Sequence, residues 1–226
     1  MTELVHYGVK GMHWGVRKSD DSVHRFQAST IQIDPGIHSG TKKAATEVSS
    51  LIASRYGFEI KNVKTIGPGN PEYPGTLAYV EQGRNQGTIF VQAKDLTART
   101  KHLEDTGFLG PGTGNIRAIM THESAHSLFH ADQKVAAGFL GPKVKGGNIK
   151  ARDKALRAAY KAAKKEGKTF EDTSGYAAMA GVREELEAEL FSQYHWSPNP
   201  PNYVKVWGQT LHQEMGVDPT PFKEVK

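Results

Sequence analysis

Cysteine is absent from the 226 residues. That excludes disulfides, thiolate metal sites and a cysteine nucleophile, so any bound metal must be held by His, Asp or Glu. Long apolar runs are missing too. No stretch of about 18 consecutive apolar residues exists, so no segment reads as spanning a bilayer. The N-terminus has no apolar core of the kind a secretory leader needs, and no such leader is expected. Apolar residues make up only 37% of the chain, which implies segments that stay outside the core.

Charge is present in excess of one sign and unevenly placed. The formal net charge is +5, and residues 143–168 carry ten Lys or Arg against only Asp153 and Glu166. Such a run is ordinarily a solvated helix face; the functional alternative is contact with nucleic acid or an acidic partner.

Residues 1–40 are Gly-rich and basic at first, then weakly periodic, and read as an arm and linker. Periodicity begins at Thr41. Ala44, Val48, Leu51 and Ile52 fall on one helical face, ending at Tyr56-Gly57. "FEIKNVKTI" reads as a strand, and "TLAYVEQ" with "GTIFVQA" as a β-hairpin around Gly83–Gly87. A helix is expected from near Asn115, capped by Thr113 or Asn115. Further helices are expected over about 149–166, from Ser174 to Trp196, and through Tyr203, Trp207, Leu211 and Met215 to Gly216. This order implies an α+β fold, a small mixed sheet packed on helices over residues 41–216, with 217–226 as a tail.

The helix after Asn115 contains "HESAH", His-Glu-x-x-His. On an α-helix His122 and His126 lie one turn apart on one face, so both imidazoles can reach one ion. Glu123 lies about 100° round the helix, suited to act as a general base rather than a ligand. Neutral imidazole suits zinc, which in catalytic sites takes three protein ligands. Asp132 is one option for the third, but Phe129 stands where a chain-reversing Gly would be needed to bring it back. The other option is downstream in "REELEAELFSQYHW", where Glu185 and Glu189 share a helical face. A ligand glutamate there would complete His-His-Glu, with Glu189 placed to hydrogen-bond a ligand histidine. His130, a further turn along, is expected beside the site or in solvent.

Glu185-x-x-Ala188-x-x-Phe191 resembles the third-ligand helix of zincin metallopeptidases of the lethal-factor and ImmA/IrrE types, and "HESAHSLFH" is similar to the His-Glu-x-x-His helix of the second group. The hairpin before the helix has its counterpart in that family. The resemblance implies a zincin-like fold with the hairpin packed on the active-site helix, and an edge strand that pairs with a peptide substrate. It implies Zn2+ held by His122, His126 and Glu185, with Glu123 as base. The family's transition-state tyrosine would fall at Ala178; Tyr176, two residues earlier, is the candidate here.

"HYGVKGMHWGVRK", residues 6–18, resembles a short motif of head-associated proteins of tailed bacteriophages and departs from its usual form only at His13 and Lys18. Two aromatics and a methionine spaced by glycines, with Lys10, Arg17 and Lys18, suit docking in a groove with an acidic rim. Three readings follow. The first is a phage-encoded, virion-associated zinc peptidase acting on a protein substrate, in the phage head or the host bacterial cytoplasm. The second is a minor head or capsid protein with an inactive zincin fold. The third is a nucleic-acid-binding protein that uses residues 143–168.

Overall fold

The computed structural model describes residues 31–67, 76–80, 87–130 and 147–224. Among them are seven α-helices and a four-stranded sheet, a mixed α+β arrangement. Strands β1 (Gln32–Ile33), β2 (Asn62–Thr65), β3 (Ala78–Val80) and β4 (Thr88–Val91) line up in the order β1-β2-β4-β3. β1 and β4 run parallel to β2, while β3 runs antiparallel to β4 and forms one edge of the sheet. The sheet is thus mixed, as the pattern predicted. Val63, Ile89 and Val91 supply its buried side.

The first helix, α1 (Ser39–Tyr56), buries Ala44, Ala45, Val48 and Ile52. It packs on α3 (Ile116–His130), the helix of the His-Glu-x-x-His motif, and α3 also meets β3 and β4. A helix not expected from the sequence, α2 (Thr97–Asp105), lies between β4 and α3. Its residues are mostly polar, and only Thr100 is fully buried, so no apolar stripe announces it.

The basic helix, α4 (Gly147–Lys165), is firmly seated. Ala151, Ala155, Ala159, Ala162 and Ala163 are buried in the core, and α4 packs along α7 (Asn202–Met215). Small alanines let the two backbones approach closely, which leaves the long cations to the solvent side. One cation goes inward. Arg152 is 2% exposed, donates to Glu187 and to the Phe129 carbonyl (3.1 Å), and lies over the Phe129 ring.

The single helix expected from Ser174 to Trp196 is two, α5 (Gly175–Ala180) and α6 (Arg183–Trp196). Gly181 separates them with a left-handed φ of 62°, a conformation that residues with a side chain rarely adopt. The chain turns there, so Tyr176 and Glu185 lie on different helices.

Packing extends to both sides of residues 41–216. Before them, Ile37 is buried and β1 completes the sheet. After them, Phe222 is buried and stacked on His195, with ring centroids 3.7 Å apart. Beneath Phe222 runs a hydrogen-bonded chain whose direction is set by proton count. The Phe222 N–H donates to His195 Nδ1 (3.2 Å), so neutral His195 carries its proton on Nε2, which donates to Tyr56 Oη (3.0 Å). Tyr56 then donates to His212 Nε2 (2.6 Å), and His212 Nδ1–H donates to the Gly208 carbonyl (2.5 Å). Both histidines are neutral here: burial first, and the nearby Arg55 charge, push them below the usual 6.5, His195 well below and His212 to about 4.

Candidate metal centre

The loop leading into α3 is held by α2. Glu104 accepts from the Gly112 and Gly114 backbone amides (2.6 and 3.1 Å), and Thr100 donates to the Gly114 carbonyl. The helix then starts on a side-chain cap: the Ala118 N–H donates to Asn115 Oδ1 at 3.0 Å. Of the two residues offered by the sequence as cap, Asn115 takes the role. This fixes where α3 begins, and so the direction in which its histidines point.

α6 lies antiparallel to α3, as its side-chain contacts show. Ser192 donates to the Ala118 carbonyl (2.9 Å), Glu189 meets His122, and Glu185 meets His126, so numbers fall on one helix as they rise on the other. Positions 185, 189 and 192 form one stripe of α6, matched to 118, 122 and 126 on α3. Trp196 Nε1–H donates to Thr121 Oγ1 (2.7 Å) at the far end.

At the centre of this interface, three donor atoms converge. His122 Nε2 and His126 Nε2 are 3.1 Å apart, and Glu185 Oε2 stands 3.1 Å from the first and 3.2 Å from the second. Together they could hold a metal ion. His122 Nδ1 faces Glu189 Oε1 at 3.1 Å, and that carboxylate is 2% exposed. A proton on Nδ1 satisfies this contact and leaves the Nε2 lone pair directed at the common point. The second oxygen of Glu189 is buried without a hydrogen-bond partner among the described residues.

The cluster is electrostatically loaded. Burial disfavours charge on His122, yet the carboxylates of Glu185 and Glu189 prevail and hold its pKa well above 6.5. Glu185 is affected in the opposite sense: burial raises it, but the two histidines hold its carboxyl far below the normal range. A proton trapped among converging ligands is what a cation displaces on binding. Glu123, next to His122, is 8% exposed, and burial raises its carboxyl pKa against the pull of both histidines. Tyr176 extends from α5 to the same place, its ring 5.8 Å from that of His122 and 5.5 Å from Phe108. Burial raises its phenol pKa, and the charges of Glu185 and Glu123 add to that.

The structure therefore gathers His122, Glu123, His126, Tyr176, Glu185 and Glu189 into one cluster. Asp132, the other option for a third ligand, the His130 side chain and the motif at residues 6–18 lie outside the described residues. Sequence reasoning missed Glu104 and Arg152. The first holds the loop before α3, and the second ties α4 to both ligand-bearing helices. Their partners, two glycine amides and Glu187, carry no pattern that marks them.

Among families of known proteins, the model of a family of unknown function (DUF7211) matches residues 1–21. The match covers the glycine-spaced motif and ends before the described residues begin. No curated protein and no solved structure matches the chain.

Proposed function

We propose that this protein is a zinc-dependent metallopeptidase of zincin type, encoded by a tailed bacteriophage and directed to the phage head by residues 6–18. The observation that carries the catalytic part is the triangle of His122, His126 and Glu185, with sides of 3.1–3.2 Å. Tetrahedral ligands at zinc bond lengths stand roughly 3.3–3.5 Å apart, so small outward shifts would admit the ion. Two imidazoles and one carboxylate are a donor set of catalytic zinc, and Glu189 supplies the buried partner that such histidines need.

When bound, zinc supplies Lewis acidity toward a peptide carbonyl and makes a water molecule easier to deprotonate. The protein's own groups do the rest. The Glu123 carboxylate, made more basic by burial, takes a proton from the attacking water and later returns it to the leaving amine. Tyr176, whose raised pKa keeps its phenolic proton, is the group that donates a hydrogen bond to the developing oxyanion. Glu189 holds the His122 ring in one tautomer and orientation. The substrate class is an extended protein segment, and the site of action is the virion or the host cytoplasm.

The test is metal analysis of the purified full-length protein together with cleavage of a quenched unfolded protein substrate. One zinc per chain is expected. Glu123→Gln should keep the metal and lose activity by about 10²–10⁴-fold, the usual contribution of a general base. Glu185→Gln should lose the metal. A wild-type chain that takes up no zinc, or a Glu123→Gln protein as active as wild type, overturns the reading.

A further inference from the structure

We infer that the solvent face of α4 is a sequence-independent binding surface for the phosphate backbone of nucleic acid. Lys150, Arg157, Lys161, Lys164 and Lys165 are all exposed. Among the described residues no carboxylate pairs with any of them, whereas Lys154 on the same face is bound to Glu214 at 2.5 Å. At about 100° per residue these cations fall within a stripe roughly 100° wide, and at about 1.5 Å per residue the stripe is roughly 23 Å long. With Lys154 counted, a cation recurs about every turn along one line, and the unpaired ones leave one gap of about two turns between Lys150 and Arg157, on a helix whose other side is fixed by α7.

Three kinds of partner could meet a basic helix, and the surroundings separate them. A bilayer surface binds an amphipathic helix through its apolar face, but the apolar face of α4 is buried in the core. A protein partner needs an apolar centre from which lysine is largely absent, whereas four of the five unpaired cations are lysines and no apolar residue interrupts the stripe. Phosphate needs neither. It is satisfied by point charges repeated along a line, which is what this face offers. Tyr160, 58% exposed at the edge of the stripe, is braced edge-on by Phe170 at 6.0 Å and adds an aromatic tip beside the charges. The stripe holds lysine point charges, a single arginine and no Asn or Gln to pair bidentately with a base edge, so contact is with the backbone and not with base edges.

The test measures binding of the full-length protein to a labelled 20-bp duplex by fluorescence anisotropy over a KCl series. Two unrelated sequences and a single strand run in parallel, with poly-glutamate and anionic vesicles as separate arms. Five neutralised phosphates predict that log Kd changes with log[salt] at a slope of about 4.5 in magnitude, or roughly 500-fold weaker binding from 50 to 200 mM. The exposed triple variant Lys161→Gln, Lys164→Gln, Lys165→Gln should keep its helical spectrum and metal content but reduce the slope by about 2.7, whatever other segments contribute. Both duplex sequences should bind alike. The inference is overturned by absent binding at 50 mM salt, by an unchanged slope in the triple variant, or by poly-glutamate or vesicles competing as well as the duplex.

Discussion

Arg152→Met tests how the helices of the candidate metal centre are held together. Arg152 and Glu187 are 2% and 0% exposed, and the guanidinium donates to Glu187 through Nε (2.9 Å) and a second nitrogen. Removing the cation strands a carboxylate in the core and leaves the Phe129 carbonyl without its donor. Breaking one side of a buried pair costs about 3–5 kcal/mol. Arg183 offers partial relief at 3.2 Å from the other oxygen of Glu187, but its side chain is 41% exposed and is shared with Asp153. The low end, about 3 kcal/mol, is therefore expected. In urea, with a slope near 2 kcal/mol/M, the midpoint should fall by about 1.5 M with the slope unchanged. The double variant Arg152→Met, Glu187→Leu removes both charges and should recover most of the loss, since an apolar pair of similar volume replaces a buried ion pair at little cost. A single variant that costs less than about 1 kcal/mol, or a double variant no more stable than the single, refutes the argument that the pair is buried and interdependent.

Tyr56→Phe keeps the ring but orphans the His195 Nε2–H and the His212 Nε2, both fully buried, so thermal or urea unfolding should show a loss of about 2–4 kcal/mol. The same histidines set an acid limit. Their folded pKa values lie below 6.5, so the unfolded chain binds more protons and stability falls as pH drops from about 6.5 toward 4, by on the order of 3 kcal/mol for His212 alone. Urea midpoints at pH 7 and pH 4.5 check the sign; a rise on acidification contradicts it. Gly208→Ala should cost about 1–3 kcal/mol by overpacking, because a Cβ there overlaps the Tyr194 ring that lies against it; an unchanged midpoint would show that the ring can move aside freely.

Much of the candidate metal centre was legible in the sequence because helical spacing is local. Two histidines four apart face the same way on any α-helix, and Thr113 and Asn115 bracketed where that helix starts. The fold was legible where apolar periodicity was strong, as in α1, the motif helix and α7. It failed where polar residues do the packing. α2 has no apolar stripe, and although Glu185 and Glu189 of α6 were expected to face the site, the burial of Glu187, Ser192, Gln193 and His195 beside them has no apolar pattern to announce it. The break at Gly181 was hidden because helical residues continue on both sides. Arg152 sat unnoticed in a charge run, since what distinguishes it from Lys150 or Lys154 is a partner 35 positions away. Phe222 stood in a segment read as a tail, and only its stack on His195 reveals its place.

The polar character of α6 has a mechanical consequence. Every turn is keyed by a polar contact: Glu185, Glu189 and Ser192 to α3, Glu187 to α4, and His195 to the segment that carries Phe222. A greasy helix can slide or rotate slightly and find substitute contacts, whereas a toothed one engages at a single setting. Rotation by one residue, about 100°, would disengage every tooth together. The Glu185 carboxylate is thus indexed from both ends of its helix, and loosening the segment around Phe222 should be felt at the His122–His126–Glu185 cluster.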